Sequence, residues 1–186
     1  MTKLKEYKMF IDGEWLDSES KKKFETLNPE NNEPWAVVPE ASAKDVDKAV
    51  KAAQKAFEGK WPKLFPKERA KYLKAMGDQL RENAELLGKI ETIDTGKLFK
   101  ETKTQANYIA EYYDYYAGLA DKIEGTVLPI DKPNMQVITT RVPIGVVVAI
   151  IPWNSQMLLT AVKLAPALAM GCLLYTSDAA DEGLGV

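Results

Sequence analysis

The chain has no histidine and a single cysteine among its 186 residues. Without histidine, no Ser-His-Asp or Cys-His catalytic set can be assembled within it, and the commonest general base is missing. One cysteine rules out an internal disulfide framework, and with no histidine beside it the usual ligands of a structural zinc site are lacking. Strong charge of one sign is also lacking: the formal net charge is -2, so nothing marks a surface for nucleic acid or an anionic membrane. Long uninterrupted apolar runs are absent too, because Lys163 breaks the best candidate for a membrane helix. The N-terminal "MTKLKEYKMFIDGEW" carries charge throughout and has no apolar stretch of the secretory type. These absences leave a cytoplasmic globular protein as the expectation. Hydrophobic residues at 46% and charged residues at 28% agree with that class.

What is present falls into two periodicities. The first forty residues read as short strands, "MFIDGEWL", "KFETLNPENNEP" and "WAVVPE". Asp12-Gly13 is a hairpin dipeptide, and Asn28-Pro29 with Asn31-Asn32 supplies turn chemistry. Ser42 then opens a helix, with Asp45 three residues on as its capping-box partner. Val46, Ala49, Val50, Ala53 and Phe57 give that helix one apolar face. Pro62 and Pro66 precede a second helix, which carries Leu73, Met76, Leu80, Ala84 and Leu87 inward and stops where Gly96 can take a left-handed conformation. A third helical stretch from about Phe99 to Ile123 has Ala106, Ile109, Ala110, Tyr113 and Ala117 on one face. Its tyrosines, Tyr108, Tyr112, Tyr113, Tyr115 and Tyr116, lack interleaved basic residues. A helix packed on both sides with hydrogen-bonded phenols is therefore expected, not a base-stacking platform.

After Gly125 the period drops to 2. "TVLPI" and "MQVITTRV" alternate as half-exposed strands around a turn at Asp131, Pro133 and Asn134. "GVVVAII" does not alternate, and a continuous β-branched run of this kind predicts a parallel strand buried on both faces. "SQMLLTAVKLAPALAMG" is helical in composition. Strand, tight turn and helix make the first half of a βαβ unit, whose ligands sit beyond the carboxyl ends of the strands. The turn reads Pro152-Trp153-Asn154-Ser155. Proline ends the ladder, tryptophan supplies an apolar wall, and the asparagine amide can either donate to a developing oxyanion or simply cap the next helix.

The stretch "RVPIGVVVAIIPWNSQMLLTAVKLAPALAMG" resembles the cofactor-binding entry of the aldehyde dehydrogenase superfamily. "MFIDGEW", "NPENNEP", "VDKAVKAAQKAFE", "ERAKYLKAMGDQLRENAELLGKIETIDTGK" and "YYAGLADKIEG" resemble the family's N-terminal region in the family's order. The similarity runs almost continuously from Met9 to Gly171. It implies an α/β fold of the aldehyde dehydrogenase type. Residues 1–123 would form N-terminal strands and helices of the cofactor-binding domain, 124–144 an oligomerisation β-ribbon, and 145–171 the first βα unit of a Rossmann-like parallel sheet.

By the same resemblance Asn154 matches the asparagine whose amide holds the oxyanion of a cysteine thiohemiacetal. Ile150, Ile151, Pro152 and Trp153 match the strand end that carries NAD or NADP. Lys163 matches a helix lysine behind the active site. Ser155, Leu159 and Val162 fall where relatives place bulky residues along the aldehyde tunnel, and Gln156 stands where proline is common. The resemblance implies oxidation of an aldehyde, a small-molecule substrate, to a carboxylic acid, with an acylating or semialdehyde-specific branch as the runner-up within the family. It also implies a dimer or tetramer at full length and no metal. The family's nucleophile, its base and the lysine that binds the adenosine ribose all lie downstream, so the chain alone is expected to be inactive. The competing reading is a non-catalytic nucleotide-binding or subunit-interaction fragment.

Cys172 is not the nucleophile on this reading, since no neighbouring base or cation would activate it. From Cys172 onward the sequence departs from the family, which continues with an apolar strand, lysine-proline and an acidic residue. The residues from Cys172 to Glu182 resemble a translation of the end of a common transposase-based sequencing adapter. Residues 172–186 are thus expected to be a non-native tail, with no second strand in it.

Overall fold

The computed structural model describes residues 4–178 of the chain. The N-terminal region is built from short strands. β1 (Lys5–Glu6), β4 (Lys23–Asn28) and β5 (Glu33–Pro39) form a three-stranded sheet in the order β1-β5-β4. β5 is parallel to β1 and antiparallel to β4. β2 (Met9–Ile11) and β3 (Glu14–Leu16) form a separate hairpin. Asp12 and Gly13 both take positive φ there, 51° and 83°, the conformation a two-residue hairpin of the primed type requires.

α1 (Ala43–Glu58) starts at the expected capping box: the Asp45 backbone N–H reaches the Ser42 hydroxyl, and the Asp45 carboxylate accepts from the Ser42 backbone N–H at 2.8 Å. A 3-10 turn at Trp61–Lys63 leads into α2 (Pro66–Glu82). The single long helix expected here is in fact two. It breaks at Asn83 (φ -105°, ψ 12°), and α3 (Ala84–Thr95) follows at once. The periodicity passes through the break unchanged because Leu80, Ala84 and Leu87 keep helical spacing. Packing decides the bend, since α3 lies so close on the next helix that a Cβ at Gly88 would stand 2.8 Å from the Lys103 backbone nitrogen. Gly96 ends α3 in the left-handed conformation at φ 75°, as anticipated.

α4 (Phe99–Leu119) ends before Ile123 and is covered by α2, α3 and α5 (Gln156–Ala169) on one side only. Tyr113 is buried, and burial pushes its phenol up to about 12. Tyr112 and Tyr116 pack ring against ring with centroids 5.0 Å apart, whereas Tyr108 and Tyr115 are exposed, so the expectation of a helix packed on both sides is corrected. The core between these helices joins Leu73, Ile109, Tyr113 and Ala120 to Ala161, Ala165 and Ala169 of α5. Three alanines on one stripe let α5 approach closely. At its far end the buried Arg69 of α2 donates to the Ala169 carbonyl at 3.2 Å and to the Leu64 carbonyl at 2.6 Å. A cation at a helix C-terminus complements the helix dipole, which offsets part of the cost of burying Arg69 without a carboxylate partner among the described residues.

β6 (Val127–Leu128) and β7 (Val137–Ile138) pair antiparallel as a short ribbon, far shorter than the alternation suggested. β8 (Val146–Ile151) is parallel to β9 (Leu173–Asp178), from Val146 opposite Leu173 to Ile151 opposite Asp178. With α5 between them this is a complete βαβ unit, the element that identifies the α/β class. Two expectations are corrected here. β8 is not buried on both faces: Ala149 and Ile151 point inward while Val148 and Ile150 are about half exposed, because nothing among the described residues covers that face. Residues 173–178 of the expected non-native tail do form a second strand, since Leu173, Leu174, Tyr175 and Thr176 are strand formers returned by α5 to the edge of β8. The rest of that tail, 179–186, lies outside the described residues. No helix among the described residues is long and apolar enough to cross a membrane.

Candidate active-site turn

The carboxyl end of β8, where ligands gather in parallel sheets, is followed by the turn Pro152–Ser155 and then by α5. Ser155, not Asn154, is the N-cap of α5, and its carbonyl accepts the Leu159 N–H at 3.0 Å. Asn154 is therefore not spent on capping. It is exposed, and its side-chain amide meets no partner among the described residues. Trp153 stands beside it 60% exposed, and Ile150 is about half exposed. Pro152 is exposed as well. Ile151 is different: alternation turns it inward to 4% exposure, so only its backbone faces the turn. Lys163, two turns along α5, is exposed and without an ion-pair partner among the described residues.

The turn is held from one side by the end of α3. Lys97 Nζ donates to Ser155 Oγ at 2.5 Å and to Glu91 Oε1 at 3.0 Å. Gln156 Nε2 donates to Asp94 Oδ2 at 2.9 Å, and the other oxygen of Asp94 accepts from Thr26 at 3.0 Å. Glu91 is 3% exposed on its side chain and Lys97 28%. Gly96 makes this possible, since its left-handed turn brings Lys97 back toward α5, and a Cβ there would meet Pro29 Cγ at 3.0 Å. The sequence reading singled out Ser155 and Gln156 but missed Glu91, Asp94 and Lys97. Glu91 pairs with Lys97 six residues on, but Lys97 and Asp94 meet Ser155 and Gln156 across 58 and 62 residues, and no local pattern encodes that pairing.

Two other places were candidates. A groove of about 750 Å³ runs between the β2–β3 hairpin, α1 and β9, but its walls are mostly apolar. Its carboxylate, Asp45, is committed. Burial acts to raise that carboxyl, yet hydrogen bonds from Ser42, Ser18 and the Glu19 backbone outweigh it and hold the group down at about 2. Cys172 is buried just beyond the other end of α5. Its N–H donates to the Ala167 carbonyl at 2.9 Å and its carbonyl accepts from Trp61 Nε1 at 3.2 Å. The 14 residues of α5 separate it from Asn154 by about 20 Å at 1.5 Å per residue. Thiol and amide cannot act on one carbonyl.

The sequence matches the model of the aldehyde dehydrogenase family over residues 15–177. Among curated proteins, it is 47% identical over 184 residues to (Z)-2-((N-methylformamido)methylene)-5-hydroxybutyrolactone dehydrogenase of Acinetobacter baylyi, covering 97% of this chain and 37% of that one. It is 40% identical to betaine aldehyde dehydrogenase of Bacillus subtilis, covering 88% of this chain and 34% of that one. Among solved structures, betaine aldehyde dehydrogenase of Staphylococcus aureus in complex with NAD+ superposes with a TM-score of 0.88 at 37% identity, covering 92% of this chain and 34% of that one. An NAD-dependent aldehyde dehydrogenase of Sinorhizobium meliloti superposes at 0.90 with 30% identity, covering 94% and 35%. The chain thus spans little more than a third of the length of the relatives it matches.

Proposed function

The chain belongs to the aldehyde dehydrogenase family, and from that premise we propose that it is the amide-bearing part of an NAD(P)-dependent enzyme that oxidises a small aldehyde to a carboxylic acid. The observation that carries this is the free Asn154 amide at the carboxyl end of β8, released from capping by Ser155. When a thiolate adds to an aldehyde carbonyl, negative charge collects on the oxygen. An amide already fixed beside that oxygen lowers the barrier, and removing one such donor costs about 10²–10³ in rate in well-studied enzymes.

The surface beside Asn154 suits the nicotinamide dinucleotide. Ile150, Pro152 and Trp153 are apolar and exposed at the end of a parallel strand, a wall for a flat ring, while Ile151 offers its backbone. When bound, that group supplies the acceptor for the hydride leaving the aldehyde carbon. No lysine follows Lys163 in the sequence to meet an adenosine ribose, so binding by this chain alone is expected to be weak.

The thiolate must come from elsewhere in the enzyme, because Cys172 sits at the wrong end of α5. The isolated chain, mixed with NAD⁺ and an aldehyde, therefore forms no NADH beyond the protein-free rate. Sustained NADH formation would overturn this part of the reading. Self-association through the β6–β7 ribbon and a cytoplasmic setting belong to the same proposal. So does the adapter origin of residues 172–186, which the nucleotide sequence tests directly: codons that differ across the tail sink it.

A further inference from the structure

We propose that the Glu91–Lys97 ion pair is a positioning device for the Pro152–Ser155 turn, and through it for the Asn154 amide. Its meaning for catalysis rests on the aldehyde-oxidising reading above; the clamp itself does not.

The geometry is that of a post driven between two elements. Glu91 lies on the inner side of α3, 3% exposed, so its carboxylate cannot relax into solvent. Lys97 reaches it at 3.0 Å from beyond the Gly96 turn, and the same ammonium donates to Ser155 Oγ at 2.5 Å. Charge-assisted hydrogen bonds of this kind are about twice as strong as neutral ones. The ammonium is thus held by a charge that cannot move and in turn holds the residue next to Asn154. Ser155 makes no side-chain capping bond, so its hydroxyl is given over to this contact. A second tie, Gln156 to Asp94, anchors the following residue to the same helix end, and Thr26 of β4 fixes Asp94 in turn. Asn154 itself has no partner among the described residues, so its direction is set by its neighbours. Holding its neighbour leaves both N–H donors of the Asn154 amide free for a charge formed only during reaction.

The test uses the chain as it stands and reads local order by amide hydrogen exchange with mass spectrometry on peptides spanning residues 150–160. Lys97→Met is expected to speed exchange of the first-turn amides of α5, including Leu159, by roughly tenfold or more, the scale of one charge-assisted hydrogen bond. Exchange in α2 and α4 should stay unchanged. Lys97→Arg, which can still bridge carboxylate and hydroxyl, should restore most of the protection. Lys97→Met can unfold the chain by leaving Glu91 buried alone, so Ser155→Ala serves as the second variant. It keeps the ion pair and removes only the contact with the turn, and it should loosen the same amides. Unchanged exchange at 150–160 in folded Ser155→Ala overturns the proposal, as does a Lys97→Arg variant no better protected than Lys97→Met. Failure of the functional reading would register differently, as undiminished aldehyde oxidation by an Asn154→Ala variant of a full-length enzyme carrying this region, with the exchange effects intact.

Discussion

Asp45 offers a quantitative test of how the N-terminal strands are tied to the helical body. Its carboxylate is 3% exposed and accepts from Ser42 N at 2.8 Å, Ser42 Oγ at 2.7 Å, Ser18 Oγ at 2.8 Å and Glu19 N at 3.1 Å. Burial alone would raise this carboxyl. The four donors prefer the charged form and bring it from 3.8 down to about 2. Because the folded value lies below the unfolded one, the contribution to stability is complete above about pH 4 and is lost as pH falls toward 2. At roughly 1.4 kcal/mol per unit, and with some screening at a site just under the surface, this is about 1–2 kcal/mol. Urea unfolding followed by circular dichroism at pH 7, 5, 4, 3 and 2 should show it by comparing the chain with Asp45→Asn. The substitution should cost stability at pH 7, and the gap should close between pH 4 and pH 2. A gap that stays constant across that range would refute the argument, because it would place the loss in packing and not in the charge.

Other perturbations reach other parts of the fold. Gly88→Ala puts a methyl group 2.8 Å from the Lys103 nitrogen and 2.9 Å from its Cα, so the close approach of α3 to α4 must open. We expect a loss of about 1–3 kcal/mol and a lower melting temperature. A rise in melting temperature would mean that the gain in helix propensity outweighs the clash. Val148→Thr keeps a β-branched residue on β8 while reducing the apolar face left open beside Ile150. It should lower self-association in light scattering at unchanged circular dichroism, and equal scattering would show that this face does not drive association.

Features encoded over a few residues were legible in the sequence. The Ser42–Asp45 capping box, the Asp12-Gly13 hairpin and the left-handed Gly96 each depend on chemistry within one turn of chain, and each was anticipated. The strand-turn-helix around Asn154 was legible because a β-branched run ending in proline has few other uses. What was hidden depends on distant partners. The break at Asn83 carries no proline or glycine and is imposed by the packing of α3 on α4. The exposure of Val148 and Ile150 could not be read from "GVVVAII", since an apolar run looks the same whether one face or two are covered. Lys97 carries no local signal, and only the fold brings it to Ser155, fifty-eight residues on. The strand at 173–178 was missed for a related reason. Attention to the polar residues that follow hid a run, Leu-Leu-Tyr-Thr, that pairs readily once α5 delivers it to β8.

The central claim is that the Asn154 amide stabilises the oxyanion in the complete enzyme. A chimera in which residues 9–171 of this chain replace the matching third of the Bacillus subtilis relative places the Asn154 turn in a full-length member of the family. Its kcat for aldehyde oxidation is the most direct measurement. Asn154→Ala should lower kcat by about 10²–10³ with little change in KM for NAD⁺. A chimera that turns over equally fast with alanine at position 154 would contradict the account.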